Sequence, residues 1–517
     1  MINLNAVGDF SIKAGPFEAS FESLRKFECP EWFKDAKFGI WSHWGPQSVP
    51  MYGDWYARNM YIEGHEQNLY HLKKYGHPSK FGYKDVAALW KAEKFDPASL
   101  MELFVRAGAK YFVAQAMHHD NFDNFDSKYQ PRFNSVAMGP KRDILQEWKK
   151  ETIKHGLRFG VTEHHGASYS WLGTSKGCDY QGFYRGIPYD GNDKNFSDLY
   201  YEDNNGYKLF ERGKYDRAGW YTTYEPFHKH WFLRIKDLID QLQPDLLYSD
   251  GGVPFLRVPD DMLHHYSVHE AEFDETQESA QYGLKIVAHL YNSSIARNGE
   301  NRAIYNQKDR NSRVFNIGIL DIERSQEDKI TPYYWQTDTS IGDWFYTVKD
   351  VYKPWNVIVE TLVDIVSKNG NLLMNIPQKP DGTIDLECED TLKQVAKWMD
   401  VNSEGIYGTR HFRVSGEGNS DFVRKEGSFD EQAVAWQPDD IRYTCKPGVV
   451  YAFLMRRPYE NTAVLCELND SRERVSNVQL LGGDTLEFIQ HGAALVVKLP
   501  ERLPFSDWVN CLKITLA

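Results

Sequence analysis

The sequence of 517 residues lacks the signatures of several common protein classes. No stretch approaches the about 18 uninterrupted apolar residues that a membrane span needs. The six cysteines are far apart and form no C-x-x-C pair, so we expect neither a zinc ribbon nor a thioredoxin-like motif. Acidic residues outnumber basic ones by 73 to 60, which argues against a surface that binds nucleic acid or anionic membrane. No glycine-rich phosphate loop or G-x-S-x-G turn follows an apolar run, which disfavours nucleotide-dependent enzymes and serine hydrolases.

The beginning of the chain also lacks a targeting signal. Residues 1–5 carry neither the basic segment nor the apolar core of a signal peptide. A mature chain whose signal had been removed would begin in the same way, so a secreted or periplasmic location stays open. Aromatic residues, in contrast, are abundant at 15%, with 15 Trp and 31 Tyr. Aromatic rings pack cores, and they also stack on the apolar faces of sugar rings.

Short apolar runs recur along the first 400 residues, and each ends abruptly in a polar or glycine-rich segment. Such continuous runs are typical of strands that are buried on both faces of a parallel sheet. They lie at 37–41, 111–114, 158–161, 246–248, 303–305 and 372–374. Helical spacing of apolar residues predicts helices at 100–107, 232–241 and 357–366. Strands that alternate with helices predict a β/α barrel over residues 1–403.

Polar side chains collect where the apolar runs stop, which is where a β/α barrel carries its catalytic groups. They are His43, His118, His119, Glu163, His164, Asp250 and Asn306. Asp250 ends a run and precedes two glycines that let a substrate approach the backbone. A carboxylate in this place suits a nucleophile or a general base, although a turn cap is the structural alternative. If the reaction is glycoside cleavage, a second carboxyl group is needed, and Asp321 and Glu323 are candidates.

The histidines do not form a recognisable metal motif. His118 and His119 are adjacent, so on an extended segment their side chains point in opposite directions. The pair His269-Glu270 is followed by Phe273 where an H-E-x-x-H helix would have its second histidine. We therefore expect no metal, and we interpret the histidines as neutral groups that bind sugar hydroxyls, with buried structural histidines as the alternative.

Two further segments have a distinct character. Residues 174–226 are rich in Gly, Asp, Asn and Tyr and show little periodicity. Loops beyond about 12–15 residues are uncommon unless functional or disordered, so we interpret this segment as a wall of the substrate cleft, with a surface insertion as the alternative. After a linker at 405–408, alternating segments such as 449–454 and 493–497 predict a small β-sandwich over residues 404–517.

Several motifs together resemble the α-L-fucosidases of glycoside hydrolase family 29, in order from about Trp32 to Gly408. They lie at 37–45, 108–111, 118–120, 126–129, 141–143, 340–346 and 369–375. The resemblance implies a (β/α)8-like catalytic barrel followed by a small C-terminal β-sandwich. It also implies a retaining exo-α-L-fucosidase without a cofactor, acting on a fucosylated oligosaccharide or glycoconjugate.

The resemblance assigns roles to individual residues. Asp250 matches the nucleophile of the family, and the acid/base is similar to Glu323, with Asp321 and Asp338 as the alternatives. Other matched residues hold the fucose: His43, Trp55, His118, His119, His164 and Trp344. Because a close cation would lower the pKa of the acid, we expect the Arg324 side chain to point away from the site.

The chain also departs from the common family pattern. Asn121 replaces a usual glycine, and Lys308 stands where many members carry an arginine. The segment 335–338, Trp-Gln-Thr-Asp, resembles the subgroup that prefers α1,3/α1,4-linked fucose on branched glycans. Two rival functions remain: a catalytically silent glycan-binding protein, which needs neither Asp250 nor Glu323, and a glycosidase of the same fold for another sugar.

Overall fold

Eight parallel strands form a closed barrel in the computed structural model, which describes residues 8–202, 221–256, 275–423, 431 and 433–517. Each strand pairs with the next along the chain, and β8 returns to β1. The strands are β1 (Phe38–Ser42), β2 (Tyr111–Met117), β3 (Arg158–Glu163), β4 (Leu246–Ser249), β5 (Ile304–Gln307), β6 (Ile319–Glu323), β7 (Trp335–Ser340) and β8 (Gly370–Asn375). The predicted (β/α)8-like barrel is confirmed.

The apolar runs did not predict two of the strands, β6 and β7. Their sequences place Asp321, Glu323, Gln336 and Asp338 among apolar and threonine residues. These four residues pair in register, Asp321 with Gln336 and Glu323 with Asp338. The polar side chains therefore lie side by side on adjacent strands, and they break the continuous apolar pattern that marks the other six strands.

Helices surround the barrel and extend its loops. The predicted helix at 100–107 overlaps α6, which starts three residues earlier and ends one residue earlier, and the Asp96 side chain caps α6 by accepting from the amides of Ala98 and Ser99. The helices are α1 (Phe21–Leu24), α2 (Glu31–Ala36), α3 (Tyr56–Asn59), α4 (Glu66–Lys74), α5 (Tyr83–Leu89), α6 (Pro97–Arg106), α7 (Ile144–Lys154), α8 (Ser168–Trp171), α9 (Ser197–Tyr200), α10 (Glu225–Leu242), α11 (Glu278–Asn298), α12 (Trp355–Ser367) and α13 (Leu386–Asn402). Among these described helices, none is long and apolar enough to cross a membrane.

An apolar layer fills the inside of the barrel below its polar end. Trp41, Tyr111, Leu246, Ile304 and Leu373 pack together there. Gly39 makes room for this layer, since a Cβ at that position would lie 2.4 Å from the Tyr111 ring. The layer closes the barrel from below, so its open end is the carboxyl end of the strands.

The C-terminal part consists of two antiparallel sheets with a shared apolar core. The five-stranded sheet has the order β13-β16-β11-β10-β9, and the three-stranded sheet has the order β12-β15-β14. The strands are β9 (Arg410–Glu417), β10 (Ile441–Lys446), β11 (Val449–Leu454), β12 (Thr462–Leu465), β13 (Val475–Leu480), β14 (Phe488–His491), β15 (Ala494–Lys498) and β16 (Asn510–Leu516). The predicted sandwich is confirmed, whereas a domain boundary at 403/404 stays a prediction, between the end of α13 and the start of β9.

Buried charges join the barrel to the C-terminal sheets. Asp364 on α12 accepts from the Arg442 guanidinium of β10 at 2.6 Å and from the Lys368 ammonium at 3.0 Å. Asp421, which is half exposed, completes the network through both cations. Burial raises the pKa of Asp364, but the charges of Lys368 and Arg442 outweigh it and hold the pKa below its ordinary value.

We expect Asp364→Asn to destabilise the whole chain. The substitution leaves Lys368 and Arg442 buried with only Asp421 as a carboxylate partner, and breaking a buried pair in this way costs about 3–5 kcal/mol. Denaturant unfolding measures the loss. The same substitution at exposed Asp390 is the control and should change the unfolding free energy by less than about 0.5 kcal/mol. Equal stability of the two variants would contradict this account of the network.

Candidate active site

Three charged side chains meet at the carboxyl ends of β4, β5 and β6. Asp250 follows β4, and its amide donates to the Glu163 carbonyl at 3.1 Å. Lys308 follows β5, and its amide donates to the Gly251 carbonyl at 2.7 Å. Glu323 is the last residue of β6. These backbone bonds continue the barrel by one residue beyond β4 and β5, so both side chains are held by the sheet rather than by a free loop.

The Lys308 ammonium bridges the two carboxylates. Its Nζ lies 2.9 Å from Asp250 Oδ1 and 2.5 Å from Glu323 Oε2. The two distances laid end to end place these oxygens at most 5.4 Å apart. Burial lowers the pKa of Lys308, but the charges of Asp250 and Glu323 outweigh it and hold the pKa well above its ordinary value. The ammonium therefore stays charged.

The four carboxyl groups in this region differ in the exposed fraction of their side chains. The side chains of Asp250 and Glu323 are each 19% exposed. Asp321 and Asp338, which the sequence left as alternatives for the acid/base, are 2% and 1% exposed. Asp250 and Glu323 are therefore the two of these four carboxyl groups that are most open to the cleft.

The surroundings push the pKa values of the two accessible carboxyl groups apart. Burial raises the pKa of Asp250, but Lys308 and hydrogen bonds from His119 and His164 hold it well below its ordinary value. Burial raises the pKa of Glu323; Lys308 opposes this rise, and the charges of Asp338 and Asp250 add to it. Two carboxyl groups shifted in opposite directions are the usual arrangement of a base or nucleophile beside a general acid.

The predicted histidines line the same cavity as Asp250. His119 Nε2 and His164 Nδ1 lie 3.3 Å and 3.5 Å from Asp250 Oδ2. The His43 ring lies 5.1 Å from that of His164, and His118 lies 4.5 Å from it. Burial is the main cause that lowers the pKa values of all three rings. For His43 and His118, neighbouring histidines add to it, and the pKa values lie well below the ordinary value. These three rings are therefore neutral at neutral pH.

The same histidines could in principle hold a metal ion. Ligand atoms of His43, His118 and His164 lie within 4.8 Å of one another. However, the Gln47 amide oxygen accepts from the Ala57 amide at 3.4 Å, so its nitrogen faces His118 Nδ1 at 3.0 Å and donates to it. The His118 proton then sits on Nε2, which makes that nitrogen a donor to a hydroxyl rather than a metal ligand. The hydrogen bonds favour a sugar over an ion.

Two predicted tryptophans flank the histidines. The Trp344 ring lies 5.1 Å from the His43 ring, and the Trp55 ring lies 6.3 Å from that of His119. The Arg324 guanidinium lies 4.9 Å from the Trp344 ring and donates to the Gly342 carbonyl. The cation bound to Glu323 is thus Lys308, whereas Arg324 contacts the Trp344 ring and the Gly342 carbonyl.

Two of the residues at the ends of the apolar runs do not belong to the cleft. Glu163 is 1% exposed, and its carboxyl accepts from the His165 amide and the Trp231 indole. Asn306 lies inside β5 and is fully buried. The expectation that the polar groups at the run ends collect at the site does not extend to these two, whose strands continue two residues beyond the apolar run.

The structure describes part of the long segment that follows β3. Trp171, at its beginning, lies 5.4 Å from the His119 ring and 6.0 Å from that of Trp55. Further along, Asp190 accepts from the hydroxyls of Tyr61 and Tyr200 at 2.7 Å each, which fastens the segment to the barrel. Residues 203–220 lie outside the described part of the chain, so the role of the segment as a cleft wall stays a prediction.

Sequence reasoning missed Lys308 and Trp171 as members of the site. Lys308 lies three residues after the predicted run at 303–305, close to the kind of position that marked Asp250, but it was noted only as a departure from a family pattern. Trp171 carried no signal of its own, since tryptophans are frequent throughout this chain. Its place in the site follows from packing against His119 and Trp55.

Comparisons with known proteins agree with this geometry. Residues 8–404 match the family model described as alpha-L-fucosidase, and residues 436–515 match that of the alpha-L-fucosidase C-terminal domain. The plasma alpha-L-fucosidase of Homo sapiens is 28% identical over 512 residues, which cover 94% of this chain and 89% of that protein. The tissue alpha-L-fucosidase of Mus musculus is 29% identical over 455 residues, covering 86% and 81%. The structure of the Thermotoga maritima alpha-fucosidase in complex with fucose is 26% identical, with a TM-score of 0.69, covering 96% of this chain and 100% of that one.

Proposed function

The chain belongs to the α-L-fucosidase family, glycoside hydrolase family 29, and on that premise we propose that it releases terminal α-L-fucose with retention of configuration. The observation that carries the retaining mechanism is the separation of at most 5.4 Å between the Asp250 and Glu323 oxygens. Retaining glycosidases hold their two carboxyl groups about 5–5.5 Å apart, whereas inverting ones need about 6.5–9.5 Å to admit a water molecule.

In the first step the Asp250 carboxylate attacks the anomeric carbon of fucose. The bond from that carbon to the glycosidic oxygen breaks, and protonated Glu323 gives its proton to the departing oxygen. Asp250 is then a neutral glycosyl ester, and Glu323 is a carboxylate. Lys308 contacts both groups, so the negative charge moves from one partner of the ammonium to the other without leaving it.

In the second step the Glu323 carboxylate removes a proton from water, and the water oxygen attacks the anomeric carbon. The ester bond to Asp250 breaks, so two displacements leave the original configuration. The neutral rings of His43 and His118 donate to sugar hydroxyls, and Trp344 packs against the apolar side of the fucose. These contacts position the anomeric carbon over Asp250.

The rival functions have less support. A silent glycan-binding protein would need no acid of raised pKa beside a nucleophile of lowered pKa, yet Glu323 and Asp250 have these opposite shifts. A glycosidase for another sugar would share the fold, but the relatives that cover most of this chain bear the name alpha-L-fucosidase.

We expect Asp250→Asn to fold normally and to lose nearly all turnover, because an amide cannot form the glycosyl ester. The wild type should release α-fucose as its first product, which NMR can follow before the anomers equilibrate. Asp390→Asn, on an exposed helix surface, is the control and should keep full activity. An inverted first product would refute both the role of Asp250 and the retaining mechanism.

The kinetics of Glu323→Gln on two leaving groups test the proton donor. We expect a severe loss of kcat/KM on a natural glycan and a milder loss on an activated aryl fucoside, whose leaving group needs little protonation. General acid catalysis contributes on the order of 100- to 10,000-fold, which sets the scale of the first loss. A small, equal loss on both substrates would contradict the role of Glu323 as the proton donor.

We also propose a preference for α1,3/α1,4-linked fucose on branched glycans. The Trp-Gln-Thr-Asp segment supports this only indirectly, because Gln336 is buried and bonded to Tyr111 and Asp321. The long segment at 174–226 offers more direct support, since it follows Trp171, which lies beside His119 and Trp55. A wall there can contact neighbouring sugars at the transition state and raise kcat/KM for branched substrates.

The preference predicts a higher kcat/KM on a Lewis trisaccharide than on 2′-fucosyllactose. A difference of about 1.4 kcal/mol in transition-state binding corresponds to about tenfold. Assays of both substrates under the same conditions measure the ratio, with an aryl fucoside as the reference without a branched leaving group. Comparable values on the two glycans would contradict the preference.

A further inference from the structure

Two carboxyl groups that the proposed mechanism does not use lie beneath the catalytic pair. Asp321 is two residues before Glu323 on β6, and Asp338 pairs with Glu323 in register on β7. The Lys308 ammonium that bridges Asp250 and Glu323 also lies 3.9 Å from Asp338 Oδ2. One buried cation therefore has three carboxyl groups around it, and the fourth, Asp321, lies diagonal to Asp338 on the neighbouring strand.

We propose that Asp338 is a positioning residue whose negative charge keeps Glu323 protonated, and that Asp321 is a neutral acid that donates its proton to Asp338. This inference rests on the proposed function, in which Glu323 is the proton donor. In this proposal Asp338 does not contact the substrate: its side chain is 1% exposed and lies 3.9 Å from the Lys308 ammonium, which binds Asp250 and Glu323. It acts through Lys308 and Glu323.

The hydrogen bonds around the pair support a shared proton. Gln336 Nε2 donates to Asp321 Oδ2 at 2.6 Å, and the Tyr248 hydroxyl donates to Asp338 Oδ2 at 3.0 Å. Among the described residues, no other side chain donates to the remaining Oδ1 atom of either aspartate. Two buried carboxylates on the same face of neighbouring strands cannot both be ionised without a large electrostatic cost, and one proton between them removes it.

The positions of the charges decide which member of the pair is neutral. Asp338 is the member near the Lys308 ammonium, and a close cation favours the charged form of a carboxyl group. The donor to Asp321 is the uncharged Gln336 amide, which is itself fixed by the Tyr111 hydroxyl at 2.7 Å. Burial and the charge of Asp338 raise the pKa of Asp321 well above its ordinary value.

The negative charge of Asp338 explains how Glu323 can be protonated although it lies beside the Lys308 ammonium. Lys308 lies 2.5 Å from Glu323 and, acting alone, would hold it as a carboxylate, which cannot protonate a leaving group. The charged groups that face Glu323 are Lys308 from β5, Asp250 from β4, Asp338 from β7 and Asp54 from the loop after β1. Asp338 is the carboxylate that remains charged in both steps, since Asp250 becomes an ester.

Two isosteric variants separate the roles of the pair. Asp338→Asn should move the basic limb of the pH profile of kcat/KM to lower pH by about one unit. The reason is that Glu323 loses a neighbouring negative charge that favours its protonated form. At a pH above the basic limb of both proteins, kcat/KM on a glycan should be about tenfold lower than in the wild type, with less change on an activated aryl fucoside. Asp321→Asn keeps a neutral group in place and should leave the basic limb where it is. Asp338→Glu restores the charge and should bring the limb back toward the wild type.

The opposite results overturn the inference. An unmoved basic limb in Asp338→Asn, or an equal shift in Asp321→Asn, would show that the charge of Asp338 does not act as proposed. A second readout needs no turnover: the difference infrared spectrum between the wild type and Asp321→Asn at neutral pH should show the loss of one carboxylic-acid band, and its persistence would contradict a protonated Asp321. Thermal unfolding of each variant checks that the fold is kept.

Failure of the proposed function would look different. If the wild type releases no fucose from any fucoside, or if Glu323→Gln retains the basic limb, the assignment of the donor is wrong, whatever the aspartate variants do. The other case is that Glu323→Gln abolishes the basic limb, whereas Asp338→Asn, made in the otherwise wild-type protein, leaves that limb at its original pH. Glu323 then remains the proton donor, and only the role proposed for Asp338 is refuted.

Discussion

The site depends on one buried ammonium, that of Lys308, and on the carboxyl groups around it. A lysine with 2% of its side chain exposed would lose its charge without partners, yet Asp250 and Glu323 lie within 2.9 Å of its Nζ. The carboxylates in turn would repel each other without the cation. Lysine and acids therefore stabilise one another's charge states, and the two carboxyl groups are held at the short separation that a double displacement requires.

The barrel makes this arrangement rigid. Asp250, Lys308 and Glu323 come from the ends of three consecutive parallel strands, β4, β5 and β6, whose spacing is set by the backbone hydrogen bonds of the sheet. The apolar layer around Trp41 and Tyr111 supports them from below. A site built on strand ends loses little conformational entropy when substrate binds, which suits a reaction that depends on positioning.

Low exposure gives each side chain in the site a definite chemical form. Burial keeps His43, His118 and His164 neutral, which suits hydrogen bonding to hydroxyls rather than ion pairing. The Gln47 amide further selects one tautomer of His118. Lys308 and its carboxylate partners carry charge in the cleft, and in the proposed mechanism they lie next to the place where charge develops at the anomeric carbon.

Some of this follows from the sequence by itself. Apolar runs that stop at polar residues predicted six of the eight strands. Because the carboxyl ends of parallel strands meet at one edge of a barrel, the same runs predicted that five polar residues lie together there: His43, His118, His119, His164 and Asp250. Alternating segments predicted the C-terminal sheets. These features are local: each depends on a few neighbouring residues, the period of a strand and the sign of hydropathy.

The tertiary structure alone decided which carboxyl groups are accessible and which cation they share. A two-residue period places Asp321 and Glu323 on the same face of β6, but the offset of about 6–7 Å along the strand leaves one of them beneath the other in the barrel. Lys308 was passed over because its partners come from strands that lie up to 58 residues away in the chain. Depth and electrostatic environment belong to the assembled barrel, since they depend on residues that are distant in sequence and adjacent only in the fold.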